Sequence, residues 1–189
     1  MQKIMFNDKY GLTQAVLEGR KTMTRRLVPD GTPLGNWEDT EKCSRYKVGE
    51  VVAVAQSYKD LGYPDFLMGD RAGWNNKMFV SALMCDHHIR ITNVRIERLQ
   101  DISDEDCIRE GIEEDSPFYW VPINKSLPNW RKIAEGVSDM SPNDRDGKVY
   151  PHFWDSPTKA FAALIDKVSG EGTWDSNPLV FVYEFILED

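Results

Sequence analysis

The chain has 189 residues, a formal net charge of −8 and a hydrophobic share of 41%, enough for a genuine core in a single domain. It holds nothing near the ~18 to 20 consecutive apolar residues of a membrane span, and Met1-Gln2-Lys3 runs into a short apolar stretch that is no signal-type leader, so a cytoplasmic protein without membrane partners is expected. Cys43, Cys85 and Cys107 lack CxxC spacing, which speaks against both a disulfide framework and a zinc site.

In chain order, Ile4-Met5-Phe6 reads as an opening strand. Asn7 or Asp8 caps a helix over Lys9 to Glu18, with Leu12, Ala15 and Val16 at helical spacing and Gly19 as its stop. A short strand follows over Met23 to Leu27, then a loop from Pro29 to Lys42 that shows no periodicity. Val51 to Ala55 is apolar on both faces, as a central strand would be, and Lys59 to Lys77 is irregular. Met78 to Met84 reads as a strand, and His88 to Leu99 reads as the clearest one. There Ile89 and Ile91 alternate with polar residues, but Val94 and Ile96 continue on the opposite parity, which predicts a bulge at Thr92-Asn93.

Ser103-Asp104-Glu105-Asp106 is a capping signature for a short helix that Gly111 ends. Between Glu113 and His152, the prolines Pro117, Pro122, Pro128, Pro142 and Pro151 mark a loop-rich insertion within the one domain, 1–189. Ser156-Pro157 opens a second solid helix with Phe161, Leu164, Ile165 and Val168 on one face, and Leu179 to Leu187 is a closing strand after the Asn177-Pro178 turn. This order fits an α+β protein built on a small, mostly antiparallel β-barrel with flanking helices.

The charge is unevenly distributed. Asp101 to Asp115 holds eight acids and one base, Arg109, a local charge of −7 that leaves −1 of the total −8 to everything else. Against that background Gly19-Arg20-Lys21-Thr22-Met23-Thr24-Arg25-Arg26 places four cations and two hydroxyls together with no acid among them. Such a cluster suits the rim of a site for a phosphate- or carbonyl-bearing ligand, while the acidic whole disfavours wrapping of a long duplex. Arg20, Thr22, Arg25 and Arg26 are read as the ligand- and phosphate-binding rim. A Walker-type phosphate loop is excluded, because Arg20 and Ala15 stand where that motif needs glycines. His87-His88 gives no metal site, since adjacent strand residues face opposite sides, and no cofactor is expected. Trp74, Trp120 and Trp130 are candidates for stacking on a base, though such residues more often anchor loops.

The chain resembles the ASCH domain family of the PUA-like superfamily, in its bacterial and phage-type members. The resemblance lies in Leu17 to Arg26, in Val48-Gly49-Glu50-Val51-Val52, in Ile91 to Ser103, in Ile108-Arg109-Glu110-Gly111-Ile112 and in Trp174 to Phe185. It implies a PUA-like β-barrel with a cleft beneath the first helix that takes single-stranded RNA or a nucleotide-like small molecule. One branch of the family removes the acetyl group of N4-acetylcytidine with a Lys, a Thr and a Glu. The Lys and Thr match Lys21 and Thr24, and the Glu matches Glu110 by its place in the short helix after the long strand. The loops at 29–42, 59–77 and 113–152 exceed that enzyme, so its substrate does not carry over with the residues.

Amide hydrolysis by Thr24 needs a base, an oxyanion donor and an acid for the leaving amine. Lys21 serves as the base only if its site lowers a pKa that is ordinarily ~10.4. Lys21 and Thr24, three residues apart, would point to opposite faces of a regular strand, so a shared site requires a bend near Thr22. Binding of RNA or a modified nucleoside is placed first, hydrolysis second, and a protein-interaction module using the proline- and tryptophan-bearing insertion third.

Overall fold

The computed structural model describes residues 1–115, 117–135 and 153–188. Strand β1 (Lys3–Ile4) leads into a 3-10 turn, Asp8–Tyr10, whose cap is Asn7 accepting from the Lys9 N–H. Helix α1 (Leu12–Leu17) begins only after Gly11. The predicted helix over Lys9 to Glu18 is therefore broken at Gly11, whose φ of 61° belongs to a region that glycine enters without steric cost. Strand β2 (Met23–Leu27) falls where it was predicted.

Helix α2 (Trp37–Lys42) stands inside the expected loop. Asn36 caps it by accepting from the Asp39 N–H, and Thr40 is its one buried residue, so no apolar stripe announces it. Strand β3 (Val51–Val54) and the one-turn helix α3 (Asp65–Met68) follow. The predicted strand at Met78 to Met84 is instead two 3-10 turns, Lys77–Phe79 and Ala82–Met84. The side chains of Asn76 and Ser81 accept from the Met78 and Leu83 N–H groups and close these turns before any ladder forms.

Strand β4 (His88–Arg98) carries the expected irregularity. Ile91 pairs with Phe185 and Asn93 with Glu184, leaving Thr92 as the extra residue. Helix α4 (Asp104–Arg109) is capped by Ser103, which accepts from the Asp106 N–H. The insertion is more ordered than a set of loops. Strands β5 (Glu113–Asp115) and β6 (Phe118–Trp120) form a hairpin, helix α5 (Trp130–Glu135) follows, and β7 (Phe153–Trp154) completes a three-stranded sheet. The rest of the insertion, with Pro142 and Pro151, lies outside the described residues. Helix α6 (Pro157–Ser169), capped by Ser156 with proline in its first turn, then helix α7 (Thr173–Ser176) and strand β8 (Leu179–Leu187) end the fold.

The main sheet has the order β1-β3-β4-β8-β2. Its ladders are antiparallel except β1 with β3, which is parallel. The α+β class and the mostly antiparallel sheet stand, but the barrel is not closed by ladders among the described residues, since β1 and β2 are the two edges. A side chain spans the gap instead: Arg26 Nη2 donates to the Met5 carbonyl at 2.7 Å. The concave side is filled by aromatic contacts, Phe6 on Phe185 at 5.8 Å and Tyr46 edge-on to Tyr183 at 5.2 Å. Among the described residues no helix is long and apolar enough to cross a membrane.

Candidate functional site at the free edge of β2

The turn between α1 and β2 supplies the bend that a shared Lys-Thr site requires. The N–H groups of Arg20 and Lys21 both donate to the Ala15 carbonyl at 2.9 Å, and the Thr22 N–H donates to the Arg109 carbonyl at 3.0 Å. Lys21 thus precedes the β2 ladder, which lets it share a wall with Thr24. Both line a cavity of about 380 Å³ that also takes in Arg25, Arg26 and Glu110, within the size range of small-ligand sites. The cavity wraps the free edge of β2. Thr24 and Arg26 enter from the strand face shared with Tyr183 and Phe181, while Arg25 and Leu27 enter from the other.

Lys21 is 2% exposed and Glu110 5%. The ammonium donates twice to this one residue, to Oε2 and to the main-chain carbonyl, both at 2.6 Å. Burial pulls Lys21 below the ordinary lysine value, Glu110 opposes that pull, and the nearby Arg26 and Arg25 add to it as like charges. Behind the lysine lies Gly111, at φ 104°. A Cβ there would stand 3.3 Å from Leu12 Cδ2 and 3.6 Å from Lys21 Cδ. Thr24 is 5% exposed, and its hydroxyl has no hydrogen-bond partner among the described residues. Of the three predicted catalytic residues, Lys21 and Glu110 are therefore in direct contact, while Thr24 lines the same cavity without a hydrogen bond to either.

The predicted rim separates into unlike members. Arg20 lies outside this cavity, half exposed, on Glu18 at 2.6 Å with Glu113 at 3.7 Å. Thr22 is also outside it, accepting from Arg109 Nε at 3.3 Å. Arg25 lines the cavity but uses all its N–H groups internally. Nε and Nη2 reach Glu97 at 2.9 and 2.5 Å, Nη2 also reaches Asp106 at 3.0 Å, and Nη1 reaches Glu110 Oε1 and Met23 Sδ, each at 3.1 Å. Although burial disfavours its charge, Glu110, Glu97 and Asp106 outweigh that and raise its pKa. Arg26 makes one bond, to Met5, and keeps its other N–H groups available among the described residues.

The Arg25 contacts belong to a larger network. Arg95 meets Glu97 at 3.1 Å, Asp106 at 2.8 Å and Glu184; Arg109 meets Glu184 at 2.8 Å and Asp106 at 3.4 Å. With Lys21 on Glu110, four cations balance four acids. The basic motif and the acidic helix, far apart in sequence, neutralise each other, so the cleft is not broadly basic.

Sequence reasoning missed much of the wall. Met5, Phe6 and Asn7 close one side, and the α6 stripe Phe161, Leu164, Ile165 and Val168 closes another. That stripe reads as a packing face, and the one sign of a second role is Val168, still 37% exposed. Trp74, Trp120 and Trp130 do not line the cavity; Trp120 packs edge-on to Phe153 at 5.6 Å in the small sheet.

No family model and no curated protein matches the chain. Among solved structures, the chain is similar to an ASCH domain from Lactobacillus crispatus JV V101, at 16% identity and a TM-score of 0.39, with 96% of this chain and 75% of that one covered.

Proposed function

We propose that this chain is an ASCH-type amidohydrolase acting on an N4-acylated cytidine or a similar small acylated nucleoside. The observation that carries the reading is the buried Lys21–Glu110 pair, 2.6 Å apart in the wall of a nucleoside-sized cavity that Thr24 also faces. With most of the motif's cations internally neutralised, hydrolysis of a small, largely uncharged substrate takes precedence over tracking of a phosphate backbone.

The chemistry follows from the donors. Glu110 occupies two N–H directions of Lys21, so once the amine is neutral its lone pair is left for the Thr24 proton. The Thr24 oxygen then attacks the acyl carbon. Arg26, two residues along and on the same strand face, offers its unused N–H groups to the developing oxyanion. Collapse expels the cytosine amine, which takes its proton from the Lys21 ammonium and leaves an acyl-threonine. Neutral Lys21 next deprotonates a water that cleaves this ester and returns the proton to Thr24. Incubation with N4-acetylcytidine, followed by chromatography of cytidine and acetate, is expected to show turnover that Lys21→Ala abolishes. Full activity in that variant would defeat the mechanism.

A second reading, capture of a single-stranded RNA end without chemistry, is favoured by the available N–H groups of Arg26. It predicts a gel shift of short RNAs at low salt, lost in Arg26→Ala, with no deacylation of bound N4-acetylcytidine.

A further inference from the structure

The cavity does not stop at Arg26. On the other side of the Arg26–Met5 bridge a second recess, of about 280 Å³, shares Met5, Arg26 and Leu27 with the first. Lys3, Arg26 and Arg45 line it, and among the described residues no carboxylate does. Lys3 is internally committed, donating to the carbonyls of Lys77, Met78 and Val80 at 2.9, 2.7 and 2.5 Å. The two arginines are not. Among the described residues Arg26 has only its bond to Met5, and the Arg45 guanidinium has only the Tyr46 ring, 5.4 Å below it. Among the described residues neither has an acid partner, a trait shared with Arg98, whereas Arg20, Arg25, Arg90, Arg95 and Arg109 all have one.

Both guanidinium groups act on one point. Burial raises the pKa of the Tyr46 hydroxyl, and Arg45 and Arg26 are the charges that pull it back. Arg26 also acts on Lys21, in the first cavity. It therefore stands between the two spaces, within electrostatic reach of each.

We infer that the second recess is a phosphate subsite, held by Arg26 and Arg45, for a nucleotide whose nucleoside part fills the first cavity. Two guanidinium groups without carboxylate competitors present the planar donor forks that phosphate oxygens accept. Met5 and Leu27 line both spaces, so a sugar passing over them would join base to phosphate. The substrate class is thus a cytidine-type nucleoside phosphate, free or as the end of an RNA strand, and the inference rests on the nucleoside reading of the first cavity.

Isothermal titration of the full chain with cytidine, cytidine 5′-monophosphate, cytidine 3′-monophosphate and a trinucleotide ending in cytidine tests it. At least one phosphorylated ligand is expected to bind about tenfold or more tightly than cytidine, and the ratio is expected to fall to about one in Arg45→Gln. A mononucleotide in front assigns a free nucleotide, and the trinucleotide in front assigns an RNA end. If cytidine binds and no phosphorylated form binds more tightly, the subsite is overturned and the nucleoside cavity stands. If cytidine does not bind, the nucleoside reading falls, and the subsite is decided by titrating inorganic phosphate into native protein and Arg45→Gln by phosphorus NMR. Binding lost in the variant retains an anion site; no binding to the native chain removes it.

Discussion

Arg25 and Arg26 are neighbours on one strand, with the same charge and the same local sequence, yet their surroundings are opposite. Arg25 points to the β2 face where Glu97, Asp106 and Glu110 wait, and it spends every N–H on them and on Met23. Arg26 points to the other face and bonds a single carbonyl. A strand reverses side-chain direction at each residue, so adjacent positions can meet different fates: one guanidinium is spent inside the fold and the other keeps N–H groups uncommitted among the described residues. Charge written in a sequence is thus not charge available at a surface.

The most forceful way to break this contrast is to remove the acid that both buried cations share. Glu110→Ala leaves Lys21 and Arg25 each short of a partner and is expected to cost about 3–5 kcal/mol, read by urea denaturation. A loss below about 1 kcal/mol, as at an exposed pair, would show the network to be incidental. Comparing the two arginines directly sharpens the point. Arg25→Met is expected to destabilise by about 3 kcal/mol or more and Arg26→Met by no more than about 1, with the second variant losing ligand affinity instead. Equal losses at the two positions would erase the distinction.

Next in size is the effect of pH. Since the folded chain holds Lys21 below its ordinary value, the unfolded chain binds more protons between the depressed value and ~10.4, and stability should climb with pH across that window. The rate of deacylation should climb as Lys21 loses its proton, with an inflection below the usual lysine range. Lys21→Met should flatten both profiles and lower kcat/KM by about 10²-fold or more. The smallest effect concerns thiols. Burial pushes Cys107 up to about 12 and Cys85 is also buried, so iodoacetamide at pH 8 should label exposed Cys43 alone in the native protein.

What the sequence revealed, it revealed through local pattern. The change of apolar parity between Ile91 and Val94 located the bulge at Thr92, and Ser103 announced its helix by cap chemistry. The convergence of Lys21 and Glu110, 89 positions apart, came from family motifs and not from spacing. The fate of Arg25 was hidden because its partners lie 72 to 85 residues away and no periodicity reports such contacts. The α2 helix and the 3-10 turns near Met78 were missed for a different reason. Each is a short element fixed by one polar side chain, Asn36, Asn76 or Ser81, with few or no buried residues to produce a stripe.

One glycine sets the tolerance of the whole arrangement. A methyl group at position 111 would push Leu12 back by a few tenths of an ångström while meeting the hydrocarbon stem of Lys21 at ordinary contact distance, and the positive φ would resist it independently. The lysine is thus seated against bare main chain. A buried ammonium is flanked by a position that contributes no functional group at all, and substitution there would press on the neighbouring packing while leaving every polar partner in place.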